Sequence, residues 1–235
     1  GKYKVRQQVC FILGRIGDPR AVPYLLWAAQ SDPEPSVRHV AELALERMRR
    51  TIDVAMKRPE VALFELARLY YFEHPSVTAV SPFGGPAERA MWNWSTEKKR
   101  LVMQVVPDFL YNVEMARQVA TDAMHAAPDY EPTLPLLISA YHKEVVLLQR
   151  RLEEARTNPD RELSEAQERL ARMRLAKSRE VLVTLRSAGE RHFYRALSLQ
   201  LHALKASRLS TLPEVAVRII DDLAEVASRD LKVYP

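Results

Sequence analysis

The sequence predicts an all-α protein, and the distribution of its helix-breaking residues carries that prediction. Only 6 glycines occur in 235 residues, whereas a β-rich chain of this length needs many tight turns with positive φ. The 15 prolines are spread along the chain, where they separate predicted helical segments, rather than gathered in one tract. Between Pro159 and Pro213 there is no further proline and one glycine, Gly189, in a stretch rich in Ala, Leu, Arg and Glu. Such a stretch favours long helices.

The overall composition excludes several classes of protein. Hydrophobic residues make up 47% and charged residues 28%, which is typical of a soluble globular chain and too apolar for a disordered one. The net charge of +5 requires neither nucleic acid nor a membrane as partner. The single cysteine, Cys10, excludes a disulfide framework and a cysteine-based zinc site. No apolar run approaches the ~20 residues of a membrane span, and without a signal-peptide pattern the cytoplasm is the default location.

The first fifty residues contain an internal repeat. Val5-Arg6 recurs 32 residues later as Val37-Arg38, and the pattern of the intervening residues predicts two helices. The first helix is expected to end at Gly14 and Gly17. Asp18-Pro19 is expected to begin the second helix, with aspartate as N-cap and proline at the first helical position. The predicted apolar face of the first helix consists of Val5, Val9, Ile12 and Leu13. Because so short a helix pair cannot bury its own apolar face, it must stack on a neighbour.

These residues resemble a known repeat family. The residues that carry the resemblance are Val5-Arg6, Leu13-Gly14, Ile16-Gly17-Asp18-Pro19, Ala21-Val22-Pro23, Leu25-Leu26, Val37-Arg38, Ala41 and Ala44-Leu45. Residues 3–50, roughly a fifth of the chain, are similar to bacterial HEAT repeats of the short, phycobilisome-lyase-like kind. The resemblance implies an α-solenoid with a binding role. Because no polar capping helix precedes the first repeat, further repeats are expected upstream.

The middle of the chain is divided by a proline- and glycine-containing segment. Residues 51–74 are predicted to form a helix pair or one interrupted helix, with Pro59 at a helix start. Together with the repeat they make up a predicted HEAT-like helical region over 1–74. Residues 75–96, with Gly84-Gly85-Pro86, are predicted to be a long loop of the kind that often carries function. From Thr96 onward the pattern again indicates a helix, which reaches Ala127.

The C-terminal region, 97–235, is predicted to be helical throughout. Its residues around 127–141 resemble a tetratricopeptide helix pair. Two apolar stripes separated by a polar turn at 157–160 predict a long antiparallel helical hairpin over about 131–209, with a bend near Gly189. A terminal helix is expected after Pro213.

The sequence shows no constellation of catalytic, metal-binding or cofactor-binding residues. It lacks a glycine-rich phosphate loop and a serine-hydrolase elbow. No two of the 6 histidines are four residues apart, and His125 has Asp122 three residues before it, a geometry that could contribute to a metal site. HEAT-type deoxyhypusine hydroxylases bind iron through His-Glu pairs, but here Val40 follows His39. We therefore predict a non-enzymatic protein without a metal ion or a cofactor.

The candidate partner-binding residues are Trp92, Trp94, Lys98, Lys99 and Arg100. They combine aromatic surfaces with cations, a mixture that single-strand binders use. More basic residues follow on the predicted long helix, namely Arg169, Arg172, Arg174, Lys177 and Arg179. The competing interpretation is a salt-bridged, solvated helix face, because glutamates are interleaved with these residues. One of the two tryptophans is expected to lie in the core.

Three functions remain open on the sequence alone. The favoured one is a protein-interaction scaffold that holds a protein or peptide through partly apolar, salt-tolerant contacts, as part of a larger repeat protein or complex. The first alternative is a nucleic-acid-binding solenoid, whose affinity would fall steeply with salt. The second is an accessory subunit of a lyase-type enzyme, which the short HEAT repeats allow and which would carry a coloured cofactor. No membrane partner is expected.

Overall fold

A computed structural model describes residues 2–52, 57–78, 88–95, 97–98, 100–206 and 209–233. Over these residues the chain forms nine α-helices and one two-stranded sheet. The helices are α1 (Lys2–Ile16), α2 (Val22–Ser31), α3 (Pro35–Arg49), α4 (Pro59–Tyr71), α5 (Asp108–Ala126), α6 (Thr133–Thr157), α7 (Glu165–Leu185), α8 (Glu190–Ala206) and α9 (Leu212–Val233). The strands are β1 (Glu88–Ser95) and β2 (Arg100–Pro107). The predicted helical fold class is confirmed.

The chain divides into two compact units. Unit 1 consists of Gly1–Leu69 and Gln118–Thr133, and unit 2 consists of Tyr70–Arg117 and Leu134–Pro235. In unit 1, α3 packs against both α1 and α2. Its main core cluster consists of Cys10, Ala21, Leu25, Leu26, Val37, Ala41, Ala44, Leu45, Met48 and Ala62. Most of these residues lie in the repeat, so the repeat buries its apolar side chains by stacking, as its short helices require.

The turn between α1 and α2 is built as the sequence indicates. Gly17 has a φ of 71°, a left-handed conformation that glycine adopts without strain. Asp18 then accepts a hydrogen bond from the backbone N–H of Arg20 at 2.8 Å, which caps a short 3-10 helix that begins with Pro19. This turn lets α2 begin immediately afterwards, at Val22.

The apolar face predicted for α1 is only partly buried. Leu13 packs against the core of unit 1, whereas Val5, Val9 and Ile12 are exposed by 65%, 48% and 50%. The side of α1 that faces the core carries Cys10 instead. Helix α1 thus carries two sets of apolar residues. Within the described residues, the set with Cys10 and Leu13 is covered, whereas the set with Val5, Val9 and Ile12 is exposed.

Gly14 lies inside α1, which continues to Ile16, so the prediction that this glycine helps to end the helix is wrong. It instead allows α1 and α3 to approach closely. A Cβ atom placed on Gly14 would lie 2.6 Å from the Cβ and 2.8 Å from the Cα of Ala44, too close for either helix to remain in place. We expect Gly14→Ala to lower the free energy of unfolding by about 1–3 kcal/mol, because the added methyl group forces the helices apart. Urea unfolding measures this change, with Gln8→Ala on the exposed side of α1 as the control. Unchanged or increased stability of the Gly14 variant would contradict the close packing.

Unit 2 contains the sheet, and here the sequence-based element boundaries are wrong. The helix expected from Thr96 begins at Asp108, because residues 100–107 form β2. Residues 88–95 of the predicted loop form β1, which pairs antiparallel with β2. Residues 79–87 of that loop lie outside the described residues. The physical reason is the high strand propensity of the tryptophans in β1 and the valines in β2.

The helical hairpin of unit 2 has the predicted turn but a shorter second arm. α6 ends at Thr157 and α7 begins at Glu165, with Ser164 and Gln167 forming a capping box. The second arm ends at Leu185, because Gly189 has a φ of 91° that no α-helix can contain. A separate helix, α8, follows and packs against α9. A core cluster formed with these helices consists of Ile138, Val146, Phe193, Ala196, Val215, Ile219, Leu223 and Val226.

Candidate partner-binding groove

The sheet of unit 2 exposes one apolar face. Side chains alternate between the two faces of a strand, so every second residue of β1 and β2 shares a face. The exposed face, called the hairpin face below, carries Trp92, Leu101, Met103 and Val105, with exposures of 46–60%. Trp92 lies directly opposite Met103 in the ladder. The opposite face is anchored by Met91 and Val106, which are buried. The strand pattern therefore presents apolar side chains to solvent rather than to the core.

The predicted site residues fall on this hairpin. Trp92 is exposed on the hairpin face, and Trp94 is paired with Leu101 in the ladder, although its side chain lies outside the described part of the structure. Lys98 and Arg100 are exposed beside the turn, and the backbone N–H of Lys98 donates to Ser95 Oγ at 3.1 Å. Lys99 lies outside the described residues. The structure thus places an aromatic side chain and two cations on one element.

A cavity continues the hairpin face at its base. Its volume is ≈ 400 Å³, and its walls come from the base of the sheet and from α5, α6 and α7. Its apolar lining includes Val105, Phe109, Leu148, Leu163 and Leu170. Because Val105 belongs both to the hairpin face and to the cavity, the two form one continuous apolar groove. We call this surface the hairpin groove.

Polar groups at the cavity give it a defined rim. Glu88, Arg151 and Gln167 line it together with the apolar residues. The guanidinium of Arg151 donates to the backbone carbonyl of Arg161 at 2.8 Å, which ties α6 to the turn before α7. An apolar cavity with a few polar groups at its edge is the form that binding sites for apolar side chains usually take.

A cluster of poorly exposed charged residues adjoins the cavity. Arg174, which lines the cavity, forms ion pairs with Glu144 and Glu114, and Glu144 also pairs with Arg117. The Glu144 carboxylate further accepts from Ser178 Oγ at 2.8 Å. Burial opposes the charge of Arg174, but the two carboxylates outweigh it and raise the pKa of that guanidinium above its ordinary value. The cluster therefore fixes α5, α6 and α7 around the cavity rather than offering charge to a ligand.

The basic residues predicted on the long helix do not form a common patch of free cations. Arg172 pairs with Glu168 on the same helix, and Arg174 is the buried partner of two glutamates. Arg169, Lys177 and Arg179 are exposed. The interpretation of α7 as a partly salt-bridged face is thus supported for two of its five basic residues.

The residue pairing considered for a metal ion is His125 with Asp122, and Asp122 takes part in a hydrogen bond within unit 1. Asp122 accepts a hydrogen bond from the hydroxyl of Tyr24 at 3.0 Å. Burial is the main cause of its raised pKa, although Tyr24 and His125 act in the opposite direction. Among the described residues, no group of three His, Cys, Asp or Glu side chains is arranged to hold a metal ion. In the described part of the chain, no helix is both long and apolar enough to cross a membrane.

Sequence reasoning missed most of the groove. Leu101, Met103 and Val105 fall in the range that the sequence pattern predicts as a helix, although the valine-rich run over 101–106 also favours a strand. Phe109 and Leu170 carry no signal of exposure, since apolar residues on a helix are ordinarily expected to face the core.

Comparison with known proteins agrees with the repeat in unit 1. Residues 1–61, about a quarter of the chain, match the family model for HEAT repeats. No curated protein and no solved structure matches the chain, so the tetratricopeptide-like and phycobilisome-lyase-like details remain predictions. HEAT repeats generally mediate protein–protein interaction. Residues 1–61 are therefore similar to HEAT repeats.

Proposed function

We propose that this chain is a non-enzymatic scaffold that binds a protein or peptide in the hairpin groove, as part of a larger repeat protein or complex. The observation that carries the proposal is the exposed apolar face of the sheet, where Trp92 and Met103 lie side by side and exposed. Monomeric proteins seldom expose a contiguous apolar patch without a binding role. Tryptophan is also among the residues that contribute most to the stability of protein interfaces.

The groove favours a partner segment with two chemical features. Its cavity, walled by Phe109, Leu163 and Leu170, accepts an apolar or aromatic side chain as an anchor. Lys98 and Arg100 lie at the turn of the sheet, which is the end away from the cavity, and they favour carboxylates on the part of the partner that reaches the turn. The proposed partner is therefore a segment with a bulky apolar residue for the cavity and acidic residues on the part that reaches the turn.

A protein segment fits this surface better than nucleic acid does. Single-strand binding requires a continuous track of cations along the phosphate backbone, whereas the middle of the groove is apolar. Two of the five basic residues on α7 are paired with glutamates. Binding is expected to depend mainly on apolar contact and only weakly on salt.

The double substitution Trp92→Ala and Met103→Ala tests the proposal. Both side chains are exposed, so the fold should remain intact while the groove loses its most prominent apolar surface. We expect affinity for the bound partner to fall roughly thirtyfold or more, since truncating a central aromatic contact commonly costs about 2 kcal/mol. Isothermal titration or fluorescence anisotropy measures this loss, with the protein that the unchanged chain captures from native lysate as the partner.

A matched control comes from another exposed apolar residue of the same unit. Val217 on α9 is 57% exposed and lies outside the groove, so Val217→Ala should bind as the unchanged chain does. Equal affinity of the hairpin double variant and the control would contradict the proposed site. Binding that disappears between about 50 and about 500 mM salt, with nucleic acid in the bound fraction, would favour the alternative function.

A further inference from the structure

Strand β2 lacks the usual protection of an edge strand against further pairing. The sheet has two strands, so within the described residues no third strand pairs with β2. Residues 101–106, LVMQVV, contain no charged residue, no proline and no glycine. The register with β1 is continuous from Glu88↔Pro107 to Ser95↔Arg100, so this pairing contains no bulge. Because charges, prolines and bulges are what normally discourage pairing with another chain, β2 favours the addition of a strand.

A sheet of two strands also gains stability from further strands. A lone hairpin is marginally stable in water, and a sheet of three or more strands with an apolar face is much better supported. Met91 and Val106 anchor one face of this sheet by their burial. On the hairpin face, Leu101, Met103 and Val105 are exposed by 59%, 52% and 46%. Strands added beside β2 would give these three side chains neighbours on the same face.

Strand β2 of a second copy matches this edge. When two β2 strands run antiparallel about a two-fold axis at Met103, each Met103 lies opposite the other and Leu101 lies opposite Val105 of the second copy. Residues opposite each other in a ladder point to the same face, so the two hairpin faces join edge to edge. Directly opposite Cβ atoms are then about 4.5–5.5 Å apart, close enough for the side chains to touch.

The charges at the two ends of the hairpin favour this antiparallel arrangement. Segment 97–100, EKKR, at the turn has a formal charge of +2, whereas Glu88, Arg89 and Asp108 at the base sum to −1. Antiparallel pairing brings the turn of each copy beside the base of the other, with Lys98 level with Asp108 of the second copy. Arg100 lies opposite Val106 of the second copy, so no like charges meet directly.

We propose that two copies of the chain associate through β2, antiparallel about Met103, into a four-stranded sheet with the β1 strands at its edges. The product presents one apolar face that carries Trp92 of both copies and ends in a cavity at each base. The two-fold symmetry occupies the β2 edge of both copies, so the assembly closes at two. The association requires no other partner and goes beyond the proposed binding of a protein segment.

Charge substitution at the two-fold axis tests the register. Sedimentation equilibrium of the purified full chain should show a monomer–dimer equilibrium between about 1 and about 300 µM, since the interface is small. Met103→Lys places two ammonium groups opposite each other and should raise the dissociation constant of the dimer roughly tenfold or more. Met103→Glu should do the same, and an equimolar mixture of the two variants should restore the dimer. Val217→Lys on α9 is the control, because Val217 is exposed and outside the sheet.

Hydrogen exchange distinguishes pairing through the β2 edge from packing of the two apolar faces against each other. Strand pairing gives the outward N–H groups of residues 101–106 an acceptor, which face packing does not. We expect the exchange of this segment to slow roughly fivefold or more between about 1 and about 300 µM. The exchange of α9 should stay the same over that range.

Four results would overturn the proposal. The first is a chain that remains monomeric over the whole concentration range, and the second is a dimer that Met103→Lys leaves unchanged. The third is a mixture of the lysine and glutamate variants that stays monomeric. The fourth is a dimer without added protection of residues 101–106, which would identify face packing. None of these readouts involves a captured partner, so the hairpin-groove proposal and this one fail independently.

Discussion

Replacing Glu144 with glutamine is expected to lower the free energy of unfolding by about 3–5 kcal/mol. The side chain of Glu144 is 1% exposed and forms ion pairs with Arg117 and Arg174. Glutamine has nearly the same shape but no charge. The substitution therefore leaves two poorly solvated guanidinium groups with Glu114 as the carboxylate that they share.

The mechanism of this loss is desolvation rather than the loss of one attractive contact. A charge that has left water during folding is destabilising unless an opposite charge compensates it, and the low local polarity makes an uncompensated charge costly. Because the cluster joins α5, α6 and α7, its disruption should also loosen the walls of the cavity. Partner affinity in the hairpin groove is expected to fall together with stability.

Urea unfolding monitored by circular dichroism measures the effect of Glu144→Gln. Glu153→Gln is the matched control, because Glu153 is an exposed glutamate on the same helix that pairs with Arg156 at 2.8 Å. An exposed pair of this kind contributes about 0.2–1 kcal/mol or less. Equal midpoints for the two variants would show that the cluster does not carry the assigned charge compensation.

Replacing Leu25 with alanine is expected to lower the free energy of unfolding of unit 1 by about 2–5 kcal/mol. Leu25 is fully buried in the core between the repeat helices. Removing its side chain loses the transfer free energy of the buried methyl groups and leaves a cavity that short, tightly packed helices can fill only in part.

Thermal and urea unfolding measure this second effect, with Leu43→Ala as the control. Leu43 lies on α3 in the same unit but is 56% exposed, so its truncation should shift the midpoint little. An unchanged melting temperature for the Leu25 variant would show that the repeat assignment is wrong.

The repeat was predictable from the sequence because its signals are local. The left-handed Gly17 and the capping by Asp18 each follow from one residue's own chemistry. The structure shows both, although Asp18 caps a short 3-10 helix and α2 itself begins at Val22. Which face of α1 is covered is not a local property. Helical periodicity locates apolar stripes, but it does not show whether a neighbour packs against each one. Val5 and Val37 occupy equivalent repeat positions, yet one is exposed and the other is buried.

The sheet was missed because short apolar runs are ambiguous. Leu101 and Val102 fit a helix as well as a strand when the helix that begins at Asp108 is close in sequence. The ladder between β1 and β2 decides the outcome, since it pairs Trp92 with Met103 and gives the backbone groups along the facing edges of both strands hydrogen-bond partners. Trp92, Lys98 and Arg100 were nevertheless recognisable as candidates, because an unusual local mixture of aromatic and basic residues is visible without the fold.

Site-specific photocrosslinking at position 103 tests the central claim most directly. A benzophenone amino acid replaces Met103 in one chain and Val217 in another, and each is irradiated in native lysate at about 50 and about 500 mM salt. The hairpin-groove account predicts a discrete protein adduct at position 103 that persists at the higher salt concentration and is absent at position 217. Adducts with nucleic acid that vanish at the higher salt concentration, or the same protein adduct at both positions, would contradict it.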